Sequence, residues 1–107
     1  MKKVSQKLIR EMVNRIVRQF DPEKVLLFGS YATGKASPDS DVDLLVVLPF
    51  SGPKRDKRLE VRMALHDIVV SKDIIVVTPE EFAWRKDIVG TIEYPAYREG
   101  KVLYGHA

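Results

Sequence analysis

An α/β fold is predicted by three observations. A stripe of apolar residues recurs at helical spacing near the start, short β-branched runs follow between turn formers, and further helical segments separate those runs. Residues 4–20 carry the stripe: Val4, Leu8, Ile9, Met12, Val13, Ile16, Val17 and Phe20 share one face. Lys2, Lys3, Lys7, Arg10, Arg15 and Arg18 surround it. Such a helix ordinarily turns its stripe to the core and its charges to water; the alternative is a basic face against an acidic or nucleic-acid partner. Asp21-Pro22 ends the helix and leads into the apolar run Val25 to Phe28.

That run stops at Gly29-Ser30. A glycine at a strand end allows a sharp turn and a close backbone approach. The following amides and the Ser30 hydroxyl form a candidate cradle for phosphate oxygens. Tyr31 to Asp39, with Gly34, Lys35 and Pro38, reads as an irregular loop. Lys35 fits a solvated loop lysine, and Asp39 fits a turn residue before the next strand.

Val42 and Leu44 to Leu48 form a second strand, bounded by Pro38 and Pro49. Asp41 and Asp43 stand at its head. Residues i and i+2 of a strand share a face, so the two carboxylates lie with Cα atoms roughly 6 to 7 Å apart. Carboxylates that close repel one another, and a divalent cation between them removes the conflict. Hard oxygen ligands suit Mg²⁺. A phosphate-holding turn and a metal-holding pair together are what phosphoryl or nucleotidyl transfer needs.

Downstream, Pro49 to Asp56 reads as a loop and Leu59 to Val70 as a second helix, with Val61, Ala64, Leu65 and Ile68 on one face. His66, within it, has no companion nucleophile or second histidine and fits a packing or surface role. Ile74 to Val77 is a third strand with Asp73 at its entrance. On its own Asp73 reads as a polar residue at a strand entrance; a strand placed beside the Asp41–Asp43 strand would bring it close to that pair as a third carboxylate, while Glu60 and Asp67, on the helix, are rivals in charge only. Thr78-Pro79-Glu80-Glu81 has the chemistry of a helix start, and Phe82, Trp84, Ile88 and Val89 follow until Gly90. Trp84 fits a core or interface residue, and Tyr94, Tyr97 and Tyr104 fit packing residues. Residues 91–99 lead to a last short helix and a strand at Lys101 to Tyr104. His106 belongs to the tail.

Composition bounds the answer. The 107 residues make one domain, 1–107, with a modest core. No cysteine is present, which excludes disulfides, zinc–thiolate sites and a cysteine nucleophile. No apolar run approaches the ~20 residues of a membrane span, and the charged start differs from a secretory leader, so no membrane association and a cytoplasmic place are expected. A net charge of +3, without an aromatic–basic stripe, makes nucleic acid an unfavoured direct ligand.

Gly29-Ser30, Ala32, Gly34, then Ser40-Asp41-x-Asp43-Leu44, resembles the G-S-x-A-x-G…S-D-x-D-L signature of the polymerase-β-like nucleotidyltransferase superfamily. The chain is most similar to its minimal nucleotidyltransferases (MNT), short proteins paired with HEPN-domain proteins, and the likeness extends through Asp73 to the 95–104 tail. Thr33 stands where the family usually carries Arg. The resemblance implies a small mixed β-sheet with helices packed on it. It implies that Asp41, Asp43 and Asp73 hold two Mg²⁺ ions, that Asp73 also takes the proton of the incoming hydroxyl, and that Gly29 and Ser30 hold the phosphates of ATP. The implied reaction moves AMP from ATP to a hydroxyl on a partner protein, the chain being the antitoxin of a HEPN/MNT pair. The alternative is a non-catalytic module that neutralises a HEPN-domain partner by binding it. Self-association into a homo-oligomer is compatible with either.

Overall fold

The structure is a computed structural model that describes residues 3–105; Lys2 and His106 lie outside them. A four-stranded mixed sheet in the order β3-β2-β1-β4 forms its centre. Along the chain, α1 (Gln6–Phe20) leads to β1 (Lys24–Phe28), then to a single helical turn, α2 (Ser30–Thr33), and to β2 (Val42–Val47). After these come α3 (Lys54–Ala64), β3 (Lys72–Val77), α4 (Pro79–Arg85), α5 (Glu93–Glu99) and β4 (Lys101–Tyr104). β1 runs antiparallel to β2 and β4, while β3 lies parallel to β2. The small mixed sheet expected from the resemblance is present.

Each strand's two-residue period divides the core. On one face, Val25, Leu27, Val42, Leu44, Val46, Ile74 and Val76 pack with Ile9, Met12, Val13 and Ile16 of α1 and with Val61 and Leu65 of the α3 region. On the other, Leu26, Leu45, Val47 and Val77 meet Phe82 of α4 and Ala96 of α5. β2 is apolar on both faces because helices cover both.

The ends of α1 follow local chemistry. The Ser5 hydroxyl accepts from the Leu8 amide, and Asp21 leaves the helix in a left-handed conformation with its amide on the Val17 carbonyl. Thr78 and Glu81 form a reciprocal capping box at α4.

The sequence reading is corrected in four places. Ser30 to Thr33, read as part of a turn and loop, winds into α2. The second helix begins at Lys54, after Pro53 at its N-cap position, and ends at Ala64; its first turn, Lys54 to Lys57, carries no apolar period to betray it. Asp73 lies inside β3 rather than at its entrance. The helix read as running to Gly90 stops at Arg85, before Ile88 and Val89, and Trp84, 62% exposed, is not a core residue. Tyr104 is exposed too, while Tyr97, also exposed, packs edge-on against Phe82 with ring centroids 6.2 Å apart.

Candidate active site

Asp43 sits at the second position of β2, where the apolar run begins, and its register partner across the parallel pair is Asp73. On the other side its partner is Phe28, the last residue of β1. Asp43 shares the face of Leu45 and Val47, and Asp73 that of Ile75 and Val77. Asp41 stands two residues upstream of Asp43, just before β2. The topology thus gathers three carboxylates at one end of the β2–β3 ribbon.

The electrostatics register this gathering. Asp43 is half-buried, and its pKa is pushed up from 3.8 to about 6, first by burial and then by the charges of Asp73 and Asp41. The neighbours each have a polar partner. The Asp41 carboxylate accepts from the Ser71 hydroxyl. The Asp73 carboxylate receives Arg58 at 3.0 Å, while the same guanidinium donates through Nε to the Ile74 carbonyl at 2.7 Å. With these partners, no three acidic or histidine side chains among the described residues converge on one point as a metal cage. The donor set itself fits a hard divalent cation: three carboxylates, one of them driven towards protonation by burial and by the charges of the others.

Gly29 explains how β1 reaches this corner. Its φ is +73°, and a Cβ there would collide with Oδ2 of Asp43. The glycine both turns the chain and leaves room for the carboxylate. Its carbonyl accepts the Ala32 amide at 3.0 Å, which closes α2. Thr33 donates weakly back to the same carbonyl, at 3.4 Å. Ser30, the first residue of α2, is half-buried and lines a cavity between α1, α2 and β4.

The rivals fall away by position. Glu60 pairs with Lys57 and Asp67 with Arg15 on the helical side. His66 is exposed and its ring bonds the Met63 carbonyl. Lys35 and Asp39 are exposed loop residues, and the Asp39 amide bonds the Ser37 hydroxyl. Arg58 and Ser71 escaped the sequence reading. Ser71 could have been found by extending the β2–β3 register to Asp41; Arg58 has no local signal, since only the packing of α3 on β3 brings it to Asp73.

Comparison with known proteins agrees with this architecture. The sequence profile of the Nucleotidyltransferase domain family matches residues 9–97. None of the curated proteins matches the sequence. Among solved structures, the chain is similar to a candidate nucleotidyltransferase from Sulfolobus solfataricus, with 25% identity, a TM-score of 0.66 and coverage of 94% of this chain and 79% of that one. It also shares its fold with a toxin–antitoxin complex containing AMP-PNP, at 19% identity and a TM-score of 0.63, covering 91% and 73% of the two chains. A third is the Shewanella oneidensis complex of a tri-AMPylated HEPN toxin with its MNT antitoxin, at 18% identity and a TM-score of 0.57, covering 95% and 74%. The fold is therefore the one seen in MNT antitoxin complexes, and with its family profile spanning most of its length the chain belongs to the nucleotidyltransferase domain family.

Proposed function

We propose that this nucleotidyltransferase moves AMP from ATP to a hydroxyl on a partner protein, as the antitoxin of a HEPN/MNT pair. The observation that carries the reading is the register match of Asp43 with Asp73, two residues from Asp41 and against a glycine that admits the carboxylate. The likeness in fold to an MNT antitoxin seen with an AMPylated HEPN toxin supports the choice of nucleotide and partner.

In this reading Asp41, Asp43 and Asp73 hold Mg²⁺, which when bound lowers the pKa of the acceptor hydroxyl and neutralises charge on the leaving pyrophosphate. Gly29 and Ser30 orient the phosphates. The acceptor oxygen attacks the α-phosphorus, the bond from that phosphorus to the bridging oxygen breaks, and pyrophosphate departs. Asp73 takes the hydroxyl proton. For that, Arg58 releases or shares Asp73, and for Asp41 to join the site Ser71 does the same there, so both tune how readily the triad forms. The chain acts on the cytoplasmic side of its host in this scheme, and among the described residues no helix is long and apolar enough to cross a membrane.

The test uses ATP labelled at its α-phosphate, Mg²⁺ and a co-expressed HEPN-domain partner. Label should pass to the partner, and Asp43→Ala should abolish transfer while the complex still forms. Asp73→Asn should slow transfer by about 10²-fold or more, the usual weight of a positioned base. One observation favours the non-catalytic reading: Arg58 already occupies Asp73, and the triad is not drawn around a single point. If unlabelled partner is neutralised equally by wild type and Asp43→Ala, that reading replaces the first.

A further inference from the structure

A cavity of about 420 Å³ opens between the start of α1, α2 and β4. Its volume lies within the usual range of small-molecule sites. It shares Ser30 with the proposed phosphate turn but includes none of the three carboxylates. Its floor includes Ile9, Leu27 and Leu103, which pack with the α1 side of the sheet, whereas Asp43 and Asp73 share the opposite face with residues of the α4–α5 side. Among the described residues, three cations stand on its walls, Lys3, Arg10 and Lys101, and no acidic side chain does. None of the three forms an ion pair among the described residues. Tyr31 completes the wall: its hydroxyl accepts the Val4 amide at 2.9 Å, which ties the segment before α1 to α2 and leaves the phenolic proton to donate.

An apolar floor with cations gathered at its walls and no acid to neutralise them suits one kind of ligand. We propose that this cavity binds a small organic anion, an apolar ring bearing a phosphate-like group. The ring covers Ile9, Leu27 and Leu103, and the charged end meets Arg10, Lys101 and Lys3. Because α2 separates the cavity from Asp43, with Ser30 on one side and Gly29 on the other, a ligand there presses on the same helical turn that borders the candidate active site.

The site is tested with 1-naphthyl phosphate, with 1-naphthol and inorganic phosphate as separate arms, in metal-free buffer. Binding is followed by calorimetry and by amide chemical shifts. The expected result is binding of 1-naphthyl phosphate at least tenfold tighter than either arm, with shifts at Tyr31, Lys101 and Leu103. Asp43→Asn should bind it as wild type does, which keeps this test independent of the proposed transferase reaction. The Arg10→Ala/Lys101→Ala pair, at exposed positions, should weaken binding at least fivefold. Leu103→Trp, which fills the floor, should weaken it as well. Shifts confined to Gly29, Asp43 and Asp73, inorganic phosphate binding as tightly as the naphthyl ester, or unchanged affinity in the double variant would overturn the proposal.

Discussion

At Gly29 two demands meet in one residue. The backbone needs a positive φ, and Asp43 needs the volume that a Cβ would fill. Gly29→Ala should therefore destabilise the fold by about 1–3 kcal/mol, the cost of a strained non-glycine backbone, and should displace the Asp43 carboxylate. Denaturant unfolding and the labelled-ATP assay would show both losses; a variant with wild-type stability would contradict the steric account. Asp43 has its own signature. In metal-free buffer it holds a proton to about pH 6 in the folded chain, but only to 3.8 when unfolded. Its contribution is therefore fully present below pH 3.8 and is lost as the pH rises through 6. Asp43→Asn removes this dependence and should stabilise the metal-free protein at pH 7, by on the order of 1 kcal/mol once solvent screening of a half-buried group is counted. Melting curves from pH 4 to pH 7 would measure it. Excess Mg²⁺ should reverse the ranking, since an ion bound to the folded form alone raises its stability. An Asn variant that melts below wild type in metal-free buffer at pH 7 would refute this account of burial and repulsion at Asp43.

Among the elements, those with a strong period or a polar cap were legible in the sequence. The α1 stripe gave its helix to within two residues, and the β-branched runs gave β1 and β2. Thr78 announced α4 through its side chain, and the capping box is formed. Thr78→Ala should cost about 1 kcal/mol, a fall of ~4–8 °C in the melting temperature of a domain this size, with little effect on the carboxylates. What stayed hidden was decided by contacts distant in sequence. The start of α3 is a run of charges after a proline, with no apolar period to set its boundary. Trp84 read as a core or interface residue because hydrophobicity alone does not say which side of a short helix the sheet will cover, and Val89 lies beyond the end of α4. Asp73 could be nominated but not placed, since its neighbour in β2 depends on a crossover through α3. The site's carboxylates were legible for the opposite reason: D-x-D needs only the strand period to bring two of them together. Arg58, reaching Asp73 from another element, left no trace in the local pattern.

Over the whole molecule, β2 is the hub. It has a paired strand on each side and a packed core on each face, so opening it exposes both cores together. Leu45→Ala should cost about 2–5 kcal/mol, the range for a buried leucine truncation. In hydrogen exchange the β2 amides should be the last to exchange, and those of α5 and the edge strand β4 among the first; early exchange in β2 would place the cooperative centre elsewhere. The same position makes Asp43 difficult to move. Its surroundings change through β3, whose register against β2 puts Asp73 opposite it. One extra residue absorbed by β3 itself would slide Lys72 into that place and drive Asp73 towards the α1-side core. An ammonium would then face Asp43, and a site built on repulsion would become a quiet ion pair. Ser71 apart, which holds Asp41, the turn between Ile68 and Lys72 can therefore vary in composition far more freely than in length: to a lineage carrying this chain, a single inserted codon there is a more dangerous change than most of the substitutions it could acquire.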